Sequence, residues 1–277
     1  MHKRAYKLSD PYLLEQEGFV SYINIPLVGH DQLLGILELF GRSGLAPSKL
    51  WLDALNAVTG QAAVALHSAS LFRMIQIAHE KLSDAYEATI DAWARAIDLR
   101  DHETEGHSRR VCMNTMTLAS AMGITESSLP DLRRGALLHD IGKLGIRDAV
   151  LLKPGAFDET EWTMMSKHPE IGAELLKQIE FLKNSAEIPM HHHEKWNGTG
   201  YPMRLAGEDI PLSARVFSIV DVWDAICSDR PYRKALSERE ALAIIRQGNG
   251  HHFDPRVFEA FMDTYASGLI AYPVVQN

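Results

Sequence analysis

Histidines and carboxylates recur between Glu103 and Asp221 in five short strings: ETEGH, HDIGK, KHPE, HHHEKWNGTGYP and DVWDA. None is decisive alone, since a His-Asp pair arises often by chance. Together, in this order, they point to a site holding more than one metal ion, and a fold that uses them must gather distant segments into one centre. Imidazole suits Fe, Zn, Mn and Ni, and a carboxylate can bridge two ions. Two ions close together clamp the attacking and leaving oxygens of a phosphoryl displacement.

The spacing suggests how each piece contributes. Glu103 and His107 are four apart, which on a helix puts both on one face. His139 and Asp140 are adjacent, so they leave a helix in different directions and could serve different ions or share one. Asp140 is the natural bridge, having two oxygens where an imidazole has one open lone pair. His168 precedes Pro169 at a helix or loop junction, and His192 and His193 form a second adjacent pair. Asp221 follows the apolar run VFSIV, so its carboxylate needs a partner that a metal would supply.

The rest of the chain is ordinary for a soluble globular protein. A net charge of −8 argues against broad binding to nucleic acid or membranes, although bound metals can reverse the local field for a small anion. Cys112 and Cys227 lie in no CxxC, so a disulfide framework is not expected and a reducing cytoplasm fits. No apolar run reaches a membrane span, and MHKRAYKLSDPY has no apolar core of a signal peptide. FVSYINIPLV, a turn at His30-Asp31 and LLGILELF read as a hairpin. Leu50 to His67 has helical spacing. Leu71, Ile75, Ala78, Leu82, Ala85, Thr89, Ala92, Ala96 and Leu99 then alternate by four and three, the period of a coiled-coil seam. Ile90, Trp93 and Ile97 form a second face expected to enter the downstream core. Beyond Arg100 nearly every segment reads as helix, with Asp158 or Thr160 and Ser237 as N-caps. The expected fold is mainly α: an all-helical catalytic domain over 101–277, a linker helix over 71–100 and a small α/β module over 1–70.

Two resemblances follow from these strings. IPLVGHDQLLGILELFGR with the helix ending AAVALHSASLF resembles the C-terminal half of a GAF domain, a sensory module whose first half, with much of its ligand pocket, is missing here. HSRRV, LLHDIGKLGI, HPEIG, HHHEKWNGTGYP, ARVFSIVDVWDAICSDRPYRKA and FDP resemble the HD-GYP family of HD-domain phosphohydrolases. That resemblance implies hydrolysis of cyclic di-GMP to pGpG and then GMP. It implies metal ligands at Glu103, His107, His139, Asp140, His168, His192, His193 and Asp221, and Lys143 facing the metals and the scissile phosphate. Substrate phosphate and guanine would meet Arg230 and Arg233, and Tyr201 would line the pocket. Two divalent ions are implied, or three where Glu103 is present, iron or manganese first and zinc or nickel by ligand chemistry. Partners would be a second copy through the linker helix and a diguanylate cyclase through the GYP loop.

Asn197-Gly198 and Gly200 suggest positive φ in that loop, with Glu194 in support; the family's usual aspartate is replaced by Asn197. Plainer readings apply elsewhere. His191 is exposed or beside the ligands, His251 and His252 cap or pack the last helix, Arg109-Arg110 is a surface pair, and Cys227 is a core residue. The rival functions are an HD-type hydrolase of another nucleotide and a catalytically silent scaffold.

Overall fold

A computed structural model describes residues 16–101, 106–229 and 234–272. It is mainly helical, with one small sheet. The described residues form two compact units parted between Asp84 and Ala85.

In the first unit β1 (Ser21–Gly29) and β2 (Gln32–Gly41) pair antiparallel, Ser21 opposite Gly41 and Gly29 opposite Gln32. His30 and Asp31 between them take φ of 45° and 62°. Positive φ at both central residues suits a tight hairpin, whose turn must follow the twist of its strands. Helix α1 (Lys49–Arg100) follows as one element of 52 residues. The two helical segments read from the sequence are therefore continuous: no glycine or proline stands between His67 and Leu71 to part them.

The second unit takes its core from α2 (His107–Ala121), α3 (Leu129–Leu137), α6 (His168–Lys177) and α8 (Leu212–Cys227). Between these lie α4 (Asp148–Leu151), α5 (Glu159–Met165) and α7 (Glu187–His191). Helices α9 (Glu238–Gly248) and α10 (Pro255–Ala266) close it. Helix α8 packs against α2, α7, α9 and α10, with Phe217, Ile219, Val220 and Trp223 wholly buried. The last turns of α1 join this core through Ile90, Ala94 and Ile97, whereas Trp93 is 41% exposed. The stripe runs at steps of four and three, which selects Ala94 and turns Trp93 to its edge. Asp158 and Ser237 close capping boxes with Glu161 and Glu240. Asp254, not a histidine, caps α10. Cys112 and Cys227 are both buried. No helix among the described residues is long and apolar enough to cross a membrane.

Candidate metal centre

The ligand-bearing strings fall at helix ends, and those ends orient the imidazoles. The last carbonyls of a helix lack intrahelical partners. His139 Nδ1 lies 2.9 Å from Ala136 O, His168 Nδ1 2.9 Å from Met165 O, and His192 Nδ1 2.9 Å from Pro189 O. Each time the carbonyl is three residues back, in the final turns of α3, α5 and α7. A carbonyl only accepts, so each Nδ1 carries the proton and each Nε2 keeps its lone pair. His107 reaches the same state differently, its Nδ1 2.7 Å from Asp224 Oδ2.

The open nitrogens converge in two groups. His107, His139 and Asp221 form one, and His168, His192 and His193 the other; within each, donor atoms lie within 4.8 Å of one another. Asp140 stands between them. Its Oδ2 is 3.0 Å from His139 Nε2, while its Oδ1 is 3.3 Å from His168 Nε2 and 3.8 Å from His192 Nε2. One carboxylate thus offers an oxygen to each group. Burial and the neighbouring imidazoles push His192 and His193 well below the usual histidine range, leaving both neutral donors. Burial opposes charge at His139 too, but Asp140 outweighs it and lifts this imidazole to about 9. Burial likewise resists ionisation of Asp140, yet Lys143 and His139 hold its carboxyl well below the usual range. Neutral His192 and His193, ionised Asp140, and His139 once an ion displaces its second proton make a donor set that fits divalent transition ions.

Backbone contacts bring the pieces together. The turn Ile141–Gly145 lies against α6 so closely that a Cβ on Gly142 would sit 1.9 Å from His168 O and 2.6 Å from Gly172 N. A Cβ on Gly200 would be 2.4 Å from Lys195 N, so close approach, not positive φ, demands that glycine, while Gly198 does take φ 77°. Buried Glu194 accepts from Met203 N (2.7 Å) and Leu205 N (3.1 Å) and ties the loop together. Asn197 Oδ1 accepts from Thr199 N and Oγ1 at 3.1 and 2.7 Å, bonds to neutral donors that need no charge. Tyr201 stacks on His193, with ring centroids 4.6 Å apart.

Glu103, Arg230 and Arg233 lie outside the described residues. Helix α2 begins at His107, and Gly106 before it takes φ 75°. Lys143 meets Asp140 Oδ2 and Asp101 Oδ2, both at 2.7 Å. The sequence reading also missed Asp224 and misjudged Arg110. Arg110 sends Nε and Nη2 to the two oxygens of Asp224 at 2.8 and 2.9 Å. Burial resists charge on Asp224, and the bonds from His107 and Arg110 outweigh it, so its pKa falls.

The HD domain family matches residues 91–257. The chain belongs to the HD domain family. Among curated relatives, a cyclic di-GMP phosphodiesterase of Vibrio cholerae is 39% identical over 214 residues, 72% of this chain and 44% of the relative. The 3'3'-cGAMP-specific phosphodiesterase 3 of the same organism is 40% identical over 66% of this chain and 40% of its own length. The cyclic di-GMP phosphodiesterase response regulator RpfG of Xanthomonas campestris is 38% identical over 70% of this chain and 52% of its own. The chain thus spans about half the length of these relatives, or less. A crystal structure of a cyclic GMP-AMP-specific phosphodiesterase from V. cholerae superposes with a TM-score of 0.53 at 23% identity, over 66% of this chain and 50% of that one, a likeness of fold. The resemblance to HD-GYP phosphodiesterases drawn from the sequence is borne out.

Proposed function

We propose that this HD-domain chain hydrolyses cyclic di-GMP to pGpG, and further to GMP, in the cytoplasm. The observation that carries the reading is Asp140 placed between two donor groups, one oxygen toward each. The names of the relatives supply the substrate class. His107, His139 and Asp221 would hold one ion, His168, His192 and His193 a second, with Asp140 bridging, and Glu103 would complete a third site. Iron or manganese is proposed first, with zinc or nickel also compatible with these ligands. Bound there, such ions would supply positive charge to the non-bridging phosphate oxygens and acidify a water for in-line attack.

The chain's own groups do the rest. The carbonyl-held imidazoles keep their tautomers without reorganisation. Lys143 brings an ammonium to the edge of the centre, where a fixed cation stabilises charge developing on the leaving oxygen. Tyr201 and the loop Gly198–Pro202 wall the pocket, and Arg230 and Arg233 would take phosphate and guanine. Residues 1–70 are proposed as a GAF-like module, 71–100 as the linker and 101–277 as the HD-GYP domain, with the GYP loop as a diguanylate cyclase contact. The linker seam would pair two copies in parallel: Leu71, Ile75, Leu82 and Leu99 are 47%, 66%, 51% and 79% exposed.

The test is product analysis after anaerobic incubation with cyclic di-GMP and Fe(II) or Mn(II). Asp140→Ala should lose both metal and turnover. A variant with full metal and over a tenth of the wild-type rate, a barrier change under ~1.4 kcal/mol, would sink the reading. The 40%-identical cGAMP-specific relative favours 3'3'-cGAMP as a second substrate, and parallel assays would rank the two.

A further inference from the structure

The last residue of α1 and the one after it hold Lys143 at both of its ends. Arg100 Nη1 donates to Lys143 O at 2.8 Å, and its Nη2 donates to Ile146 O at 2.8 Å and Asp148 Oδ1 at 2.9 Å. Asp101, its side chain 4% exposed, accepts from Lys143 Nζ at 2.7 Å. The backbone of the 3-10 turn and the tip of its lysine are thus fastened by two consecutive residues. The second fastening has a chemical consequence. Lys143 Nζ is equally close to Asp140 Oδ2, the oxygen that faces His139. An ammonium drawn only to Asp140 would occupy an acceptor that an ion needs. A second carboxylate on its far side shares the ammonium and gives it a resting place when that oxygen is taken.

We infer that Asp101 is a positioning residue that sets where the Lys143 ammonium stands, and that Arg100 fixes the backbone from which it reaches. The inference rests on the proposed role of Lys143 in turnover. Asp101 acts on turnover through the Lys143 ammonium that it holds.

A double-mutant cycle separates the possibilities. Lys143→Ala should lower kcat by roughly 100-fold or more, the scale on which removal of one fixed charge stabiliser acts. Asp101→Asn, nearly isosteric, should lower kcat by about 10-fold or more with little change in KM. The double variant should be no slower than Lys143→Ala alone, and Asp101→Glu should recover part of the loss. Metal content by plasma mass spectrometry and the melting temperature should stay at wild-type values in Asp101→Asn. In the metal-free protein, Lys143 should react faster with an amine-modifying reagent once Asp101 is neutralised, read by peptide mass spectrometry. If the melting temperature drops, Arg100→Lys, at a partly exposed position, repeats the cycle. Full additivity, or Asp101→Asn at wild-type kcat beside an inactive Lys143→Ala, overturns the positioning role alone. Wild-type turnover in Lys143→Ala overturns the role of Lys143 and this inference with it.

Discussion

Asp224 shows how a residue that never faces the reacting atoms can govern the centre. It is fully buried, holds His107 by Nδ1 and is gripped by Arg110 on both oxygens. Asp224→Asn keeps the shape, removes the charge and weakens the hold on the His107 tautomer. Metal affinity, measured by chelator competition, should fall ~10–100-fold, the usual cost of losing a carboxylate behind a histidine ligand. The sequence carried a signal for this residue: a second acid three positions after Asp221, in a helix whose other charge is Arg215, needs a partner as much as the first. The carbonyls of Ala136, Met165 and Pro189 gave no such signal, because every residue has a carbonyl and only folding decides which three lie under an imidazole. His252 offers a second test at this scale. Burial, with a smaller push from Lys195, lowers its pKa to about 4 from an ordinary 6.5. Between those values the unfolded chain binds a proton that the folded chain refuses, so stability is full above about 6.5 and declines as pH falls toward 4. The loss is at most ~3 kcal/mol. Urea unfolding at pH 7 and pH 5 should show it, and His252→Gln should flatten the difference.

Among elements, the turn Ile141–Gly145 and helix α6 form the joint on which both donor groups depend. Gly142→Ala would drive a methyl into the His168 carbonyl. The backbone must part, and overpacking of this kind costs about 1–3 kcal/mol. Because Asp140 and His168 ride on the two parting segments, metal content should fall with the urea midpoint; a stable, fully loaded variant would contradict this account. Helices and hairpin were largely readable from periodicity and turn chemistry. The stretch from Asp158 to Ile179 carries one apolar period yet divides at Ser166 and Lys167, placing His168 at a helix start, the junction that Pro169 marks in the sequence. That division serves the centre, and the apolar period, which continues across it, does not record it. Trp93 failed for a simpler reason: a tryptophan and an alanine at the edge of a stripe differ in bulk, and geometry ranked Ala94 first.

For the whole molecule, the seam on α1 carries the assembly prediction. Its residues from Leu71 to Leu99 all face solvent in a single chain, and an exposed apolar row at that period suits a second helix. Leu82→Glu should turn dimers into monomers in sedimentation velocity at tens of micromolar. A wild-type protein already monomeric there would remove the seam from consideration.

The continuity of α1 has a mechanical meaning. From Lys49 to Arg100 the helix contains no proline and a single glycine, Gly60, so its sequence builds in no proline hinge. A helix without a hinge does not absorb a twist applied along its length but passes it on, about 100° of phase for each residue inserted or removed. Gain or loss of seven residues leaves the apolar seam of α1 nearly in register, and a change of two turns the residues beyond it to the opposite face.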